Sequence, residues 1–204
     1  MTEKKAEKDS VESFLRRTFK GVLDAIAGFL IRLGLKPNTI TLLGVLGNLV
    51  AAVLAARGSL TWGGVAALLT APLDAIDGAM ARQLNLPGSF GAFLDSVTDR
   101  YDELILLGGL LVYFTTAQAP RGIALTYLAA AGSVLVSYTR ARAEALGFNG
   151  KAGILTRIER AVVMIGGLLL GYPLVSVGII AVLANVTAVQ RILFVYKQSR
   201  MINS

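Results

Sequence analysis

Apolar stretches of about 20 residues, the length that carries an α-helix across the hydrocarbon core of a bilayer, recur along this chain and limit what it can fold into. The chain has 204 residues, of which 54% are hydrophobic and only 16% are charged. That composition, with a mean hydropathy of +0.64, is too apolar for an ordinary soluble domain. The sequence therefore predicts an all-α polytopic membrane protein, and it excludes a disordered chain or a coiled coil.

Six apolar runs are separated by short segments that contain Gly, Pro or polar residues, and we expect each run to form a transmembrane helix. Their approximate bounds are 38–56, 60–82, 90–117, 123–146, 154–171 and 174–196. Six transmembrane helices place both termini of the chain on the same side of the membrane.

An amphipathic helix is predicted ahead of the first span. Leu15, Phe19 and Val22 follow helical spacing, while basic residues take the other side, which is typical of a helix that lies on the membrane surface. The polar first ten residues are expected to be disordered. We therefore expect a cytoplasmic tail with an amphipathic juxtamembrane helix at residues 1–36 and a six-helix membrane domain at residues 37–204.

The positive charges are strongly one-sided. Of the 20 basic residues, 18 fall on the side of the termini, and only Arg57 and Arg121 lie opposite, so the positive-inside rule places both termini in the cytoplasm. We expect a multi-pass protein of the plasma membrane. Its net charge of +7 suits an anionic leaflet and anionic substrates, and we expect no nucleic-acid partner.

Two residue types are missing. The chain has no Cys and no His, which excludes a disulfide framework, a thiolate nucleophile and an iron–sulfur cluster. A metal site would have to be built from oxygen ligands, and such sites select hard divalent cations.

Four aspartates lie in the apolar helices on either side of the loop between the second and third spans. They are Asp74, Asp77, Asp95 and Asp99. An ionised carboxylate at that depth is costly unless it is paired or bound to metal, so it marks a functional site by default. The spacings of three and four residues put each pair on one helix face. We predict a cluster that holds Mg²⁺, with Mn²⁺ as a substitute and two ions fitting four carboxylates, and that grips a pyrophosphate.

Other interpretations of the acidic residues remain open at this point. Arg82 or Arg100 would neutralise a single buried aspartate, although four aspartates in face-sharing pairs favour the metal site. A divalent-cation transporter would use a similar cluster as its ion path. Asp102 and Glu103 are close to Arg100 on the same helix, and we expect them to be its structural partners.

The aspartates belong to a longer pattern, Asp-x2-Asp-Gly-x2-Ala-Arg-x8-Gly-x3-Asp-x3-Asp. Its eight fixed positions are filled by Asp74, Asp77, Gly78, Ala81, Arg82, Gly91, Asp95 and Asp99. The pattern resembles the signature of the CDP-alcohol phosphotransferases, and the Pro37–Thr41 entry to the first span and the six-span topology are also similar to that family. The resemblance implies that a CDP-linked lipid reacts with an alcohol, that CMP is released, that divalent metal is needed and that the enzyme is a homodimer.

The resemblance also implies roles for individual residues. Asp74, Asp77 and Asp95 would be metal ligands, and Asp99 would both touch metal and act as the general base that takes the proton of the acceptor hydroxyl. The cytidine diphosphate would be bordered by Ile40, Thr41, Leu42, Leu43, Gly78, Arg82, Gly88 and Ser89.

A group of basic residues near the cytoplasmic ends of the last three spans predicts an acceptor that carries a phosphate. The candidates are Ser137, Arg140, Arg142, Arg157, Arg160 and Arg191, with Glu144 and Glu159 as the only acidic side chains expected near them. The segments from Ser137 to Gly147 and from Arg157 to Arg160 resemble the branch that makes phosphatidylinositol phosphate or archaetidylinositol phosphate. Inositol phosphate is therefore the expected acceptor, while glycerol 3-phosphate or another alcohol remains an alternative.

Overall fold

The computed structural model describes residues 11–86, 88–150 and 152–202. These residues form seven helices and no strand. The helices are α1 (Val11–Arg32), α2 (Pro37–Ala56), α3 (Leu60–Gln83), α4 (Gly88–Thr116), α5 (Pro120–Ala145), α6 (Arg157–Leu169) and α7 (Pro173–Ile202). The all-α prediction is confirmed, and the predicted disorder of the first ten residues lies outside the described residues.

Four of the described helices are long and apolar enough to cross a membrane, namely α2, α3, α5 and α7. The helices at the predicted third and fifth spans, α4 and α6, are not among these four. The 29 residues of α4 include four acidic residues and one arginine between Asp95 and Glu103, so its first half is too polar. The 13 residues of α6 measure about 20 Å at 1.5 Å per residue. The six-span count therefore stays a prediction.

The shortness of α6 has a local cause. The predicted fifth span began near residue 154, but α6 begins at Arg157, because the backbone before it is irregular and Gly153 adopts a φ of +111°. Thr156 and Glu159 form a capping box at the start of the helix, with the Thr156 N–H donating to Glu159 Oε2 at 2.8 Å. The helix thus starts level with the acidic residues of α3 and α4, to which Arg157 reaches.

Small residues let α2, α3 and α4 pack closely. A Cβ atom on Gly109 of α4 would lie 2.8 Å from the Cα of Ala52 in α2, and one on Gly63 of α3 would lie 2.9 Å from the Ala51 carbonyl oxygen. Such close contact between helix backbones is typical of membrane proteins. It fixes the relative positions of the two helices that carry the aspartates.

A smaller core joins α1 to this bundle. Ala27 of α1 is fully buried against Ile40 of α2 and against Ile76 and Met80 of α3. The other side of α1 exposes large apolar side chains, namely Phe19, Val22, Ile26 and Phe29. Helix α1 therefore covers the end of the bundle at which α3 carries Asp77 and Arg82.

Candidate active site

Three aspartate side chains from two helices converge. One carboxylate oxygen from each of Asp74, Asp95 and Asp99 lies within 4.8 Å of the others, and all three residues are half-buried. Asp95 and Asp99 are one helical turn apart on α4, so the predicted shared face brings them together. Three convergent carboxylates form an all-oxygen donor set that suits a hard divalent cation.

Asp77 lies beside this group and has a different partner. Its side chain is 6% exposed, and its Oδ2 accepts a hydrogen bond of 2.5 Å from the Thr41 hydroxyl of α2. It is close enough to Asp74 and Asp95 to interact with them electrostatically. Asp77, the fourth predicted ligand, therefore lies at the site, but its carboxylate is hydrogen-bonded to Thr41 of α2.

Arg157 lies within the carboxylate group. Its Nη1 is 3.0 Å from Asp74 Oδ2, and its Nη2 is 2.6 Å from Asp99 Oδ1. For Arg157, the expectation that Glu144 and Glu159 would be the only acidic neighbours is wrong. Its partners are distant in sequence and become adjacent only because α6 packs against α3.

Arg100 does not have the partners that the sequence predicted. It donates to Ser96 Oγ at 2.9 Å and to the Ser96 carbonyl, and it lies 3.8 Å from Asp99. Glu103 binds Arg160 of α6 instead, while Asp102 lies beside Asn48 of α2. The prediction of local pairs failed because Asp102 and Glu103 face α2 and α6, whereas Arg100 folds back onto Ser96 one turn earlier on α4.

The predicted nucleotide residues lie near the start of α2, in the last turns of α3 and at the start of α4. Ile40 is buried in the core beneath α1, whereas Leu42 and Leu43 are exposed. A Cβ atom on Gly78 would lie 3.4 Å from Nη1 of Arg82, so the exposed guanidinium covers this glycine. Gly88, at the start of α4, has open space around it. The side chain of Ser89 lies outside the described residues.

Three of the predicted acceptor residues form a basic group. Arg140 and Arg160 are both near enough to Arg191 to act on it electrostatically. Arg160 is 2% exposed and grips Glu103 through Nε at 2.6 Å and Nη2 at 2.9 Å. Arg191 donates to the carbonyl of Ala152 at 2.7 Å and to that of Val136, which ties the connector before α6 to α5 and α7.

The remaining acceptor candidates are more peripheral than this group. Within the group, Arg140 also pairs with Glu144 at 2.9 Å on the surface of α5, whereas Arg142 is exposed one turn from the end of that helix. Ser137 lines a cavity of about 270 Å³ between α4 and α5, together with Ser96 and Arg100. The structure thus groups Arg140, Arg160 and Arg191, places Arg157 with the aspartates, and puts Ser137 in a neighbouring groove.

Sequence reasoning overlooked the polar side of α2. Thr41 was predicted to border the nucleotide but binds Asp77, and Asn48 lies beside Asp102. These two polar residues are seven positions apart in an otherwise apolar helix, which puts them on one face. From that spacing one could have predicted that Thr41 and Asn48 both face the helices that carry the acidic residues.

Residues 35–194 match the CDP-alcohol phosphatidyltransferase family. The match spans most of the chain, and the chain belongs to this family, so the resemblance seen in the sequence is confirmed. The protein is accordingly a membrane enzyme of the CDP-alcohol phosphotransferase class. Membership in an enzyme family overturns the alternative of a cation transporter.

Relatives of this chain occur in both bacteria and archaea. The chain is 34% identical over 185 residues to a phosphatidylinositol phosphate synthase of Mycobacteroides abscessus, covering 86% of this chain and 84% of that protein. It is 35% identical over 198 residues to an archaetidylinositol phosphate synthase of Methanothermobacter thermautotrophicus, covering 93% and 96%.

Solved structures of Mycobacterium tuberculosis phosphatidylinositol phosphate synthase share the fold. The structure with CDP-diacylglycerol bound superposes with a TM-score of 0.79 at 31% identity, covering 86% of this chain and 94% of that chain. The structure with manganese and citrate gives a TM-score of 0.80 at 31% identity, with 85% and 88% covered.

Proposed function

We propose that this enzyme transfers a phosphatidyl-type group from a CDP-linked lipid to a hydroxyl of inositol phosphate and releases CMP, as a step of phospholipid biosynthesis. The observation that carries the proposal is the convergence of Asp74, Asp95 and Asp99 within 4.8 Å, with the half-buried Arg157 in contact with two of them. The CDP-linked lipid is CDP-diacylglycerol or its archaeal equivalent. One relative is named a phosphatidylinositol phosphate synthase and another an archaetidylinositol phosphate synthase, and these names support the two lipid types.

Asp74, Asp77, Asp95 and Asp99 are the proposed metal ligands, and Mg²⁺ is the proposed metal, with two ions and with Mn²⁺ as a substitute. The carboxylate donor set and the manganese-containing relative support this assignment. Divalent metal, when bound, supplies positive charge that offsets the pyrophosphate and the departing phosphate.

Asp99 is the proposed general base. Its side chain is 13% exposed, so few water molecules reach it to compete with an acceptor hydroxyl. The carboxylate takes the hydroxyl proton as the oxygen attacks the lipid-side phosphorus. The new P–O bond joins lipid and acceptor, the P–O bond to CMP breaks, and CMP leaves.

The nucleotide and the acceptor have separate proposed contacts. Gly78 admits the pyrophosphate close to α3, and Arg82 beside it donates to phosphate oxygens. The segment Ile40–Leu43 and the loop residues Gly88 and Ser89 border the cytidine. Arg140, Arg160 and Arg191, together with the more peripheral Arg142 and Ser137, are the proposed contacts for the phosphate of the acceptor.

The proposed arrangement in the plasma membrane has six spans and cytoplasmic termini. Helix α6 is proposed as one of these spans although it has only 13 residues. The exposed apolar side of α1 supports its proposed place at the membrane surface. The domain boundary near residue 36 agrees with the family match, which begins at residue 35. We further propose that the enzyme is a homodimer.

The acceptor is tested by measuring CMP release from CDP-diacylglycerol by the purified protein with Mg²⁺. Inositol phosphate is expected to support release, and glycerol 3-phosphate and unphosphorylated inositol are expected not to. Faster release with glycerol 3-phosphate would replace the acceptor in this proposal but keep the reaction class. A chelator is expected to stop release with every acceptor.

A further inference from the structure

The position of Arg157 has a consequence for metal binding. Its guanidinium contacts Asp74 at 3.0 Å and Asp99 at 2.6 Å, and both aspartates are proposed metal ligands. The guanidinium already takes a lone pair on each of these two carboxylates, and its positive charge repels a divalent cation placed among them. Arg157 and metal therefore compete for the site, and metal binding is favoured when Arg157 moves away.

The start of α6 is held without help from Arg157. The Thr156 N–H donates to Glu159 at 2.8 Å, and Arg160 is fixed to Glu103 by two hydrogen bonds. The Arg157 side chain is 39% exposed, and it pairs with Asp74 and Asp99, neither of which lies on α6. The side chain is consequently free to change partners while the helix end stays in place.

A phosphate group is the natural second partner. The forked guanidinium binds phosphate oxygens with the same two-pronged geometry that it uses for carboxylates. The CDP-linked lipid of the proposed function brings two phosphates to this site. These phosphates give Arg157, once displaced from the aspartates, a new anionic partner.

We propose that Arg157 is a positioning residue that passes from Asp74 and Asp99 to a phosphate of the CDP-linked lipid, so that metal and lipid bind cooperatively. This inference rests on the proposed function of the site. Because coupling between two ligands is reciprocal, metal strengthens the binding of lipid by the same factor by which lipid strengthens the binding of metal.

The test measures Mn²⁺ affinity by electron paramagnetic resonance on the full chain in nanodiscs, with and without CDP-diacylglycerol. Without lipid, Arg157→Gln is expected to bind Mn²⁺ at least about fivefold more tightly than the wild type, because the competitor is gone. Addition of CDP-diacylglycerol is expected to raise the Mn²⁺ affinity of Arg157→Gln by a smaller factor than that of the wild type.

Arg100 provides a matched control. It lies 3.8 Å from Asp99 and is 35% exposed, so it is a comparable positive charge that does not bridge two aspartates. Arg100→Gln is expected to change Mn²⁺ affinity by less than about twofold. Arg157→Lys keeps the charge but loses the forked guanidinium, and its Mn²⁺ affinity is expected to lie between those of the wild type and Arg157→Gln. It replaces Arg157→Gln in the test if that variant does not fold.

Three results contradict the inference. Arg157→Gln binds Mn²⁺ no more tightly than wild type, or Arg100→Gln shifts the affinity as much, or lipid raises the affinity equally in wild type and Arg157→Gln. A further control separates this failure from failure of the proposed function. If the wild type binds no Mn²⁺, or if Asp95→Asn leaves binding unchanged, the metal site itself is wrong.

Discussion

Thr41 of α2 donates a hydrogen bond of 2.5 Å to Asp77 of α3. Asp77 is 6% exposed, and a carboxylate at that depth depends on its hydrogen-bond partners for its orientation. The bond links the entry of the first span to one of the four proposed metal ligands. Thr41 therefore acts on the site through Asp77.

Removing this hydroxyl is expected to weaken metal binding. Thr41→Val keeps the shape of the side chain but leaves Asp77 without its donor, and the loss of such an outer partner typically lowers metal affinity about 10–100-fold. Titration with Mn²⁺ checks this, with Thr41→Ser as the control that keeps the hydroxyl. Equal Mn²⁺ affinity of Thr41→Val and wild type would show that Thr41 does not orient the ligand.

The buried ion pair between α4 and α6 is expected to contribute to stability. Glu103→Leu leaves the Arg160 guanidinium, 2% exposed, without its carboxylate, which is expected to cost about 3–5 kcal/mol in the free energy of unfolding. Unfolding in mixed detergent micelles measures this cost. The double variant Glu103→Leu with Arg160→Met is expected to recover most of it, and an equally unstable double variant would contradict the explanation.

Adjacent glycines of α4 are expected to respond differently to an added methyl group. A Cβ on Gly109 would meet the backbone of Ala52, whereas nothing lies within 4 Å of a Cβ on Gly108. Gly109→Ala is expected to destabilise the bundle by about 1–3 kcal/mol through overpacking. Gly108→Ala is expected to be neutral or slightly stabilising, because alanine favours the helix. Thermal unfolding of the two variants compares them, and equal stability would contradict the close α2–α4 contact.

Much of the helical architecture was predictable from the sequence, because apolar runs, prolines at helix starts and turn glycines are local signals. Pro37, Pro120 and Pro173 each open a helix close to where the sequence placed a span. The start of α6 was not predictable in the same way. The connector before it contains apolar residues such as Ile154 and Leu155, and their hydropathy does not reveal that the backbone there is irregular.

The acidic site was predictable only in part. Spacing along one helix placed Asp95 and Asp99 on a common face, and the structure brings them together with Asp74. The partners of Arg157 and Arg160 were not predictable, because each ion pair joins residues on different helices. Local proximity suggested Arg100 as the partner of Glu103, but the packing of α4 and α6 decided otherwise.

Arg140 offers a test of acceptor binding that is separate from stability. It forms an exposed pair with Glu144, and such pairs contribute at most about 1 kcal/mol to folding. Arg140→Gln is expected to raise the KM for inositol phosphate about tenfold or more through loss of a charged hydrogen bond, with the KM for CDP-diacylglycerol unchanged. Steady-state CMP release measures both constants. Glu144→Gln is the control, and an equal rise of KM there would assign the effect to the surface pair.

The proposed role of Asp99 as the base in CDP-alcohol transfer is tested most directly by comparing CMP release by wild type and Asp99→Asn. The assay contains CDP-diacylglycerol, Mg²⁺ and inositol phosphate, and binding of CDP-diacylglycerol is measured in parallel. Asp99→Asn is expected to slow release by about 10²–10⁴-fold and still to bind the lipid. Release at the wild-type rate by Asp99→Asn would contradict this role.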